Sequence, residues 1–265
     1  MAFRCKGTGP LSETRPLSGG HRSAAATRGF EPIVLCYHAI SDRWQHDLSV
    51  QPSTLERQLL RLVRRGYRPA RADEVVEGRG RLFHVTFDDA FRSVGAALPV
   101  LERLRTPATV FTCTGLADAG RPFPISQPSS QTSDEDTATL DWDGLRELVE
   151  RSFEIGSHTV SHAHLTGLGD GELRHELRGS RERIESELGR RCRFLAYPYG
   201  DHDARVRLAA REAGFDAAFA LPGRLNPFDP FAIPRVGVSS RDGLLRFTLK
   251  TSPTRHVIER MLAWT

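Results

Sequence analysis

Short apolar runs alternate with amphipathic segments along most of this chain, and this alternation restricts the fold more than any other feature. The runs at 33–37, 108–112 and 217–220 have the length and composition of buried strands. Between the runs, leucines recur at helical spacing, as at Leu55 and Leu59. Repeated strand–helix units are typical of a parallel α/β sheet. The six or seven units of this sequence predict a (β/α) barrel, and 265 residues suffice for one such barrel as a single domain.

Caps and chain breakers set the expected boundaries of several elements. Ser53, with Glu56 three residues later, fits a capping box, which predicts that the first helix begins there. Gly189 is expected to end a longer helix that spans 170–188. The other expected elements are strands at 85–87, 194–197 and 231–236 and helices at 72–77, 98–104, 142–149 and 206–213.

Two segments depart from the alternation. Residues 115–139 are rich in Pro, Ser, Thr and Asp, and we interpret them as an insertion at the rim of the site. Two interpretations of this insertion stay open: it contacts the substrate, or it is a disordered segment without a role in the site. Residues 1–29 have no apolar region of the signal-peptide type, so we expect a disordered leader followed by one barrel domain at 30–265. No stretch approaches the length of a transmembrane helix.

The net charge indicates the class of partner, and the cysteines indicate the cellular compartment. The formal charge is +4, and the arginines are spread through Glu/Arg helices, so no nucleic-acid partner is expected. The four cysteines lie far apart, and Cys36 and Cys113 fall inside apolar runs as buried free thiols would. This pattern favours a reducing compartment, and a cytoplasmic location is the expectation.

Asp88 and Asp89 follow directly after the run that ends at Phe87. Two adjacent carboxylates do not both stay ionised in a dry core without a cation or a shared proton. One interpretation is a metal site, with one carboxylate as a ligand and the other free as a base. The other is a solvated turn after a strand, and this stretch alone favours neither.

His158 and His162 lie four residues apart after another short apolar segment. In a helical turn this spacing brings two imidazoles to one side, where they can bind a divalent ion. On spacing alone, a surface or structural pair is the commoner arrangement. Together with the Asp pair, the histidines complete a set of one carboxylate and two imidazoles, which leaves coordination positions open for water and substrate.

A third apolar run ends in the turn residues of 197–200, Tyr-Pro-Tyr-Gly. With this element the chain resembles the polysaccharide deacetylase family, the carbohydrate esterases of family 4 with NodB homology. Residues 86–89, 158–162 and 197–200 match its three motifs in order and spacing, within a resemblance that covers 30–240. The Tyr37-His38 dipeptide resembles a branch that includes poly-N-acetylglucosamine deacetylases. The resemblance implies a distorted barrel with seven strands.

The resemblance also implies a role for each motif residue. Asp89, His158 and His162 would bind one divalent metal ion, with zinc expected first and cobalt, nickel or manganese as alternatives. Asp88 would be the general base. The backbone N–H of Tyr199, which follows Pro198, would stabilise the oxyanion together with the metal. A packing role for Tyr199 in an ordinary turn is the alternative.

The chain departs from the family pattern at two places. The family arginine that orients the base is Ala196 here, and Arg235 is the candidate replacement, with a surface arginine as the alternative. The late Leu-x-His motif has no counterpart at 244–247. The resemblance to the branch with the Tyr-His dipeptide implies that His38 is the general acid instead, with a core histidine as the alternative. His84 and His164 are expected to be structural.

These residues predict a metal-dependent hydrolase that removes an acetyl group from an N-acetylated sugar or glycan. Polymeric, lipid-linked and soluble sugars all fit, and the sequence leaves the oligomeric state open. A deformylase or another non-peptide amide hydrolase on the same fold is the first alternative. A glycan-binding barrel that has lost activity is the second, and it is disfavoured because Asp88 and the three ligand candidates are all present.

Overall fold

A computed structural model describes residues 32–78, 80–125, 132–221 and 229–252 of the chain. The leader expected at 1–29 lies outside the described residues. No helix of the described ranges is both long and apolar enough to cross a membrane.

All the named strands of the described residues pair in parallel. Nine of these strands form one sheet, and two others form a separate pair next to it. In chain order the strands are β1 (Ile33–Tyr37), β2 (Ala39–Ile40), β3 (Ser49–Val50), β4 (Arg68–Pro69), β5 (Leu82–Phe87), β6 (Ala108–Thr112), β7 (Glu154–Ser157), β8 (Phe194–Ala196), β9 (Ala217–Ala220), β10 (Ile233–Pro234) and β11 (Val236–Gly237).

The main sheet nearly closes into a barrel. Its strand order is β10-β9-β8-β7-β6-β5-β1-β11, with β4 paired to β5 beside this path. The two end strands are separated in sequence by Arg235 alone, because β10 pairs with β9 and β11 pairs with β1. The single strand expected at 231–236 is therefore split across the seam. Counted as one segment of the wall it is the seventh, and the expected α/β barrel is confirmed.

Helices connect the strands, as a parallel sheet requires. Most begin within two residues of the expected positions, but the first begins at Pro52 with Gln51 as its N-cap, so Ser53 is not the cap. Proline suits this first position because its missing N–H needs no partner there. The helices are α1 (Pro52–Arg64), α2 (Ala72–Val76), α3 (Leu98–Arg103), α4 (Thr114–Ala119), α5 (Asp134–Thr137), α6 (Trp142–Glu150), α7 (Asp170–Arg174), α8 (Ser180–Leu188), α9 (Ala204–Glu212) and α10 (Leu244–Lys250).

The alternation of side chains along β5 produces two layers of core. Phe83, Val85 and Phe87 pack in the large cluster that also contains the buried leucines of α1. A smaller cluster, which includes Phe111, Phe194 and Phe219, fills the inside of the wall. The other face of β5 carries His84 and Thr86, and Asp88 continues this series immediately beyond the strand.

The described parts of the 115–139 segment are tied to the barrel rim. The segment contains α4 and α5, and bridges join Phe91 to Thr139 and Pro122 to Ala138. Phe123 is buried, with its ring 5.5 Å from that of Phe91 and 5.0 Å from that of His162. The segment therefore contributes an apolar wall beside the histidines.

Candidate active site

The candidate residues lie where strands end. His38 follows β1, Asp88 and Asp89 follow β5, His158 follows β7, and Tyr199 comes three residues after β8. The carboxyl ends of parallel strands meet at one rim of a barrel, which is the rim where barrel enzymes carry their active sites. The fold thus brings together side chains that are up to 161 residues apart in sequence.

Asp88 is held by a two-pronged ion pair with Arg235. Arg235 Nη1 donates to Asp88 Oδ1 at 2.6 Å and Nη2 donates to Oδ2 at 2.8 Å, with both side chains buried. The Cys36 thiol also donates to Oδ2, at 3.3 Å. Burial raises the pKa of Asp88, but the charge and hydrogen bonds of Arg235, together with His158 and His38, outweigh burial and leave that pKa well below the usual range. Asp88 is therefore an ionised carboxylate at neutral pH with a fixed orientation.

Arg235 reaches Asp88 because it lies at the seam between β10 and β11. Its Nη1 also donates to Thr86 Oγ1 at 3.1 Å, and its guanidinium carbon lies 5.6 Å from the centre of the Phe111 ring. Arg235 is thus a buried partner of the candidate base, and it is not a surface residue.

Asp89, His158 and His162 converge on a common point. Asp89 Oδ1 lies 3.6 Å from His158 Nε2 and 3.5 Å from His162 Nε2, both too long for good hydrogen bonds. This oxygen is buried and has no hydrogen-bond partner among the described residues. Ligand atoms about 2.1 Å from a tetrahedral ion lie about 3.4 Å from one another. The spacing and the unpartnered oxygen therefore fit a divalent ion, and the three residues form a candidate metal-binding group.

The backbone turns the two carboxylates in different directions. Asp89 has a φ of 65°, in the left-handed region, two residues after the end of β5. Aspartate tolerates this region better than most residues do. The turn lets Asp88 face Arg235 while Asp89 faces the histidines, although the two residues are adjacent.

The expected helical turn at the histidine pair is wrong. Residues 158–162 form a loop in which Thr159 and His162 have φ values of 70° and 60°. The carboxylate of Glu176 accepts hydrogen bonds from the backbone N–H groups of Val160 and Ser161, at 2.8 and 2.9 Å. Sequence reasoning missed Glu176, because it lies in an ordinary Glu/Arg helical pattern. A buried acid in such a pattern (8% exposed) is recognised only from the structure.

Hydrogen bonding and burial favour the neutral form of both imidazoles, which is the form that binds a metal ion. His158 Nδ1 donates to the Ala196 carbonyl at 2.8 Å, which leaves the lone pair of Nε2 facing Asp89. Burial lowers the pKa of His158, and burial with the neighbouring His158 lowers that of His162 to about 3. Burial and the charge of Asp88 raise the pKa of Asp89. A bound cation would offset this concentration of negative charge.

Tyr199 extends over the histidines with its ring exposed. Its φ is 59°, its ring centre lies 4.5 Å from that of His162, and its ring stacks on His164 at 4.0 Å. The next residue must be glycine, because a Cβ at Gly200 would collide with the backbone of Leu221. Pro198, in the same turn, is buried. His164, expected to be structural, instead lies exposed at the rim as the stacking partner of Tyr199.

His38 lies next to the candidate base. One of its ring nitrogens lies within 4.8 Å of an Asp88 carboxylate oxygen and of Cys36 Sγ. Its Nδ1 is buried without a hydrogen-bond partner in the described ranges. Burial lowers the pKa of His38 to about 4, against the opposing charge of Asp88, so the imidazole is neutral at pH 7. Its role as the acid stays a prediction, and it requires a proton that arrives during the reaction.

A parallel α/β barrel with carboxylates and imidazoles at its carboxyl-terminal rim has the architecture of the barrel enzymes. The family model described as polysaccharide deacetylase matches residues 76–218, just over half of the chain. The chain belongs to the polysaccharide deacetylase family. The matched range contains the three motif segments but neither His38 nor Arg235, whose placement rests on the structure.

Individual relatives agree with this membership. YxkH of Bacillus subtilis (strain 168), a curated protein with a polysaccharide deacetylase name, is 23% identical over 224 residues, or 78% of this chain and 71% of YxkH. The Streptococcus pyogenes deacetylase PplD, solved in complex with acetate, superposes with a TM-score of 0.71 at 19% identity and covers 85% of this chain and 100% of its own.

Two further solved structures have the same fold. The polysaccharide deacetylase BC0361 from Bacillus cereus has a TM-score of 0.68 at 24% identity and covers 84% of this chain and 69% of its own. IcaB from Ammonifex degensii has a TM-score of 0.67 at 23% identity and covers 84% of this chain and 97% of its own. At these identities the structures support the fold, and the family match supports deacetylation of a glycan as the reaction.

Proposed function

We propose that this protein is a metal-dependent hydrolase that removes the acetyl group from an N-acetylated sugar or glycan. The observation that carries the proposal is the difference in surroundings between two adjacent carboxylates. Asp88 is ionised and held by Arg235, while Asp89 faces His158 and His162 with an unpartnered oxygen. Such a pair supplies a free base directly beside a metal-binding group, and family membership supports the same reaction.

The metal would be held by Asp89 Oδ1, His158 Nε2 and His162 Nε2. When bound, a divalent ion lowers the pKa of a water ligand and polarises the carbonyl that is attacked. Two imidazoles and one carboxylate suit zinc first, with cobalt, nickel and manganese as alternatives. The second nitrogen of His158 is fixed by the Ala196 carbonyl, which keeps the ring in the ligand orientation.

Asp88 would accept a proton from the attacking water. Its low pKa keeps Asp88 ionised, and therefore open to a proton, before the reaction starts. The two-pronged contact with Arg235 removes rotational freedom from the carboxylate, so its free lone pairs keep one direction. Asp88 Oδ2 lies 3.9 Å from His158 Nε2, which places the base beside the metal-binding group.

The remaining two steps are oxyanion stabilisation and protonation of the leaving amine. The backbone N–H of Tyr199 is the proposed donor to the oxyanion, beside His162. His38 is the proposed acid, because a neutral imidazole near Asp88 can take the proton that Asp88 has accepted and give it to the amine nitrogen. Such a transfer conserves the proton and returns both groups to their starting states.

Acetate release tests the proposal. The purified protein is incubated with N-acetylglucosamine, its oligosaccharides and an N-formylated analogue, with and without added Zn²⁺, Co²⁺, Ni²⁺ or Mn²⁺. We expect metal-stimulated acetate release that is absent from Asp88→Asn. Preferred release of formate would instead indicate the deformylase alternative. Glycan binding by the wild-type protein without release of either acid would contradict the enzymatic proposal.

A further inference from the structure

A cavity lies at the amino-terminal end of the barrel, opposite the rim that carries the candidate metal-binding group. Its volume is about 270 Å³, close to the lower end of the range of small-molecule sites. Residues at or just before the first positions of β6, β7 and β8 line it, namely Pro107, Ala108, Phe153, Glu154 and Arg193. Because these strands are parallel, their first residues lie at the end of the barrel away from the active site. We call this space the basal cavity.

The polar lining of the basal cavity is cationic. It includes four arginines, Arg71, Arg190, Arg191 and Arg193. Glu154 is the one acid among the described lining residues, and burial raises its pKa, so its negative charge is disfavoured where it lies. His84 also lines the cavity, and burial lowers its pKa to about 4, so its ring is neutral at pH 7. The lining thus carries four positive charges against one negative charge, which favours an anionic ligand.

Two acids that do not line the cavity hold part of the arginine cluster in place. Asp216 accepts from Arg191 Nη2 at 2.6 Å and from Arg193 Nε at 2.9 Å. Arg193 Nη1 also donates to Asp73 at 3.2 Å, and its guanidinium carbon lies 5.0 Å from the centre of the Phe194 ring. Arg193 is therefore fixed before any ligand binds, which reduces the entropy cost of binding.

Arg71 and Arg190 keep N–H donors that are free for a ligand. Arg71 lies 3.5 Å from an Asp73 oxygen and 4.0 Å from a Glu154 oxygen, both too long for good hydrogen bonds. Arg190 is exposed, and its side chain forms no ion pair or hydrogen bond within the described part of the chain. A guanidinium carries five donors in a planar fork that matches a carboxylate or a phosphate. These two arginines can therefore bind an acidic group without giving up a hydrogen bond.

The buried part of the lining is mainly apolar. Its buried hydrophobic side chains are Ala72, Ala108, Phe153, Ile155 and Ile184. His84, the polar residue buried with them, has both ring nitrogens engaged, by the Ala70 carbonyl and by Thr109 Oγ1. An apolar group in this space would remove hydrophobic surface from water, which inorganic phosphate would not do. The lining therefore matches an anion that has a compact apolar body.

We propose that the basal cavity binds a compact organic anion, with its carboxylate or phosphate group held by Arg71 and Arg190 and its apolar part against Phe153 and Ile155. The two acidic groups share the chemistry that a guanidinium recognises, and the experiment below distinguishes them. The cavity lies at the opposite end of the barrel from the candidate active site. The inference therefore goes beyond the proposed function and does not depend on it.

Calorimetry with four small probes tests the ligand class. Phenyl phosphate and benzoate carry the two acidic groups on the same ring, phenol lacks the acidic group, and inorganic phosphate lacks the ring. We expect at least one aromatic anion to bind about tenfold more tightly than phenol and inorganic phosphate, and the tighter of the two identifies the preferred acidic group. Phenol that binds as tightly as the aromatic anions, or no binding of either anion, would overturn the inference.

Substitutions at the free arginines test the position of the site. Arg71→Ala and Arg190→Ala should each weaken binding by about tenfold to a hundredfold, because each removes a charged hydrogen-bond donor. Arg190→Lys keeps the charge and should lose less. Arg64→Ala is the matched control, because Arg64 is exposed in the last turn of α1, at the same end of the barrel. Unchanged affinity in Arg190→Ala, or an equal loss in Arg64→Ala, would contradict the assignment. Thermal unfolding checks that every variant is folded, as loss of an exposed arginine allows.

A further titration excludes binding at the metal, since carboxylates and phosphates are also metal ligands. It is repeated with His158→Ala, in which the candidate metal-binding group lacks one ligand. Binding at the basal cavity should be unchanged in this variant and should still depend on Arg190. Binding that is lost in His158→Ala and unaffected by Arg190→Ala would place the anion at the metal and overturn the inference. Absence of acetate release from N-acetylated sugars would contradict the proposed function alone, because these titrations do not require turnover.

Discussion

At the scale of single residues, Arg235 acts on Asp88, the proposed base, in two ways: its charge keeps the carboxylate ionised and its geometry fixes the direction of the carboxylate. One cation at this position would be enough to keep Asp88 ionised, but two Nη contacts also fix the plane of the carboxylate. The sequence could name Asp88 from its position after a strand, and Arg235 only as a candidate. The contact joins residues 147 positions apart, and no local pattern encodes a pairing at that distance.

Arg235→Lys tests the orienting role. Lysine keeps the positive charge but lacks the planar fork, so Asp88 stays ionised and gains freedom to rotate. We expect kcat to fall by about tenfold to a hundredfold with the metal content unchanged. Arg235→Ala, in contrast, leaves a buried carboxylate without its partner and should cost about 3–5 kcal/mol of unfolding free energy. Equal kcat in wild type and Arg235→Lys would remove the orienting role.

The two adjacent aspartates should respond differently to the same substitution. Asp88→Asn removes the proton acceptor but leaves the three ligand atoms in place, so we expect loss of turnover with the metal retained. Asp89→Asn and His158→Ala each remove a ligand, so both the metal and the activity should be lost. Elemental analysis of the purified variants gives the metal content. Equal metal loss in the two aspartate variants would mean that their roles are shared or reversed.

His38→Ala tests the proposed acid. The variant should bind metal and substrate almost normally and lose roughly two to four orders of magnitude in turnover of the amide. An ester analogue should lose less, because an alkoxide leaves with less help from an acid than an amine does. A parallel fall of amide and ester activity, with a lower unfolding temperature, would instead assign His38 a packing role.

At the scale of elements, the sequence predicts regular segments well and irregular ones poorly. The strands β1 and β6 end at the residues where the apolar runs of the sequence end. This agreement arises because local composition decides which segments are buried in the barrel wall. The histidine spacing suggested a helical turn, but residues 158–162 adopt left-handed conformations at Thr159 and His162. Glu176 stabilises that loop from a helical segment outside the motif, so the motif residues alone do not determine the conformation of the loop.

Glu176→Gln should weaken metal binding without touching a ligand. The amide is a poorer acceptor for the N–H groups of Val160 and Ser161, so the loop that carries His162 becomes less fixed. Loss of a hydrogen-bond partner that supports a metal site typically costs about tenfold to a hundredfold in affinity. Competition with a chelator measures the change. Glu182→Gln, on the exposed surface of the adjoining α8, is the control, and an equal effect there would exclude a specific role for Glu176.

At the scale of the whole molecule, the sequence predicted a barrel but not the way in which it closes. One apolar run at 231–236 looked like a single strand, yet its two halves pair with β9 and β1 at opposite edges of the sheet. The split depends on the shape of the complete wall, which no local run specifies. The split also places Arg235 at the seam, so the same feature closes the barrel and orients the proposed base.

His84 links stability of the whole barrel to pH from a position away from the active site. Its Nδ1 donates to the Ala70 carbonyl at 2.8 Å and its Nε2 accepts from Thr109 Oγ1 at 2.9 Å, as expected of a structural residue. Burial lowers its pKa from 6.5 to about 4 in the folded protein. Between these values the unfolded chain binds more protons than the folded one, so the free energy of unfolding falls as the pH falls through this window.

The contribution of His84 is measurable as a difference between two proteins. With a folded pKa of about 4 and an unfolded pKa of 6.5, it should lower the unfolding free energy by about 2 kcal/mol between pH 7.5 and pH 5. Denaturant unfolding of wild type and His84→Gln at both pH values isolates this share, because the other buried histidines contribute equally to both proteins. We expect the variant to be less stable at pH 7.5 but to lose less stability on acidification. Identical losses in the two proteins would show that His84 is not protonated on unfolding in this range, and would assign the acid sensitivity to the histidines of the rim.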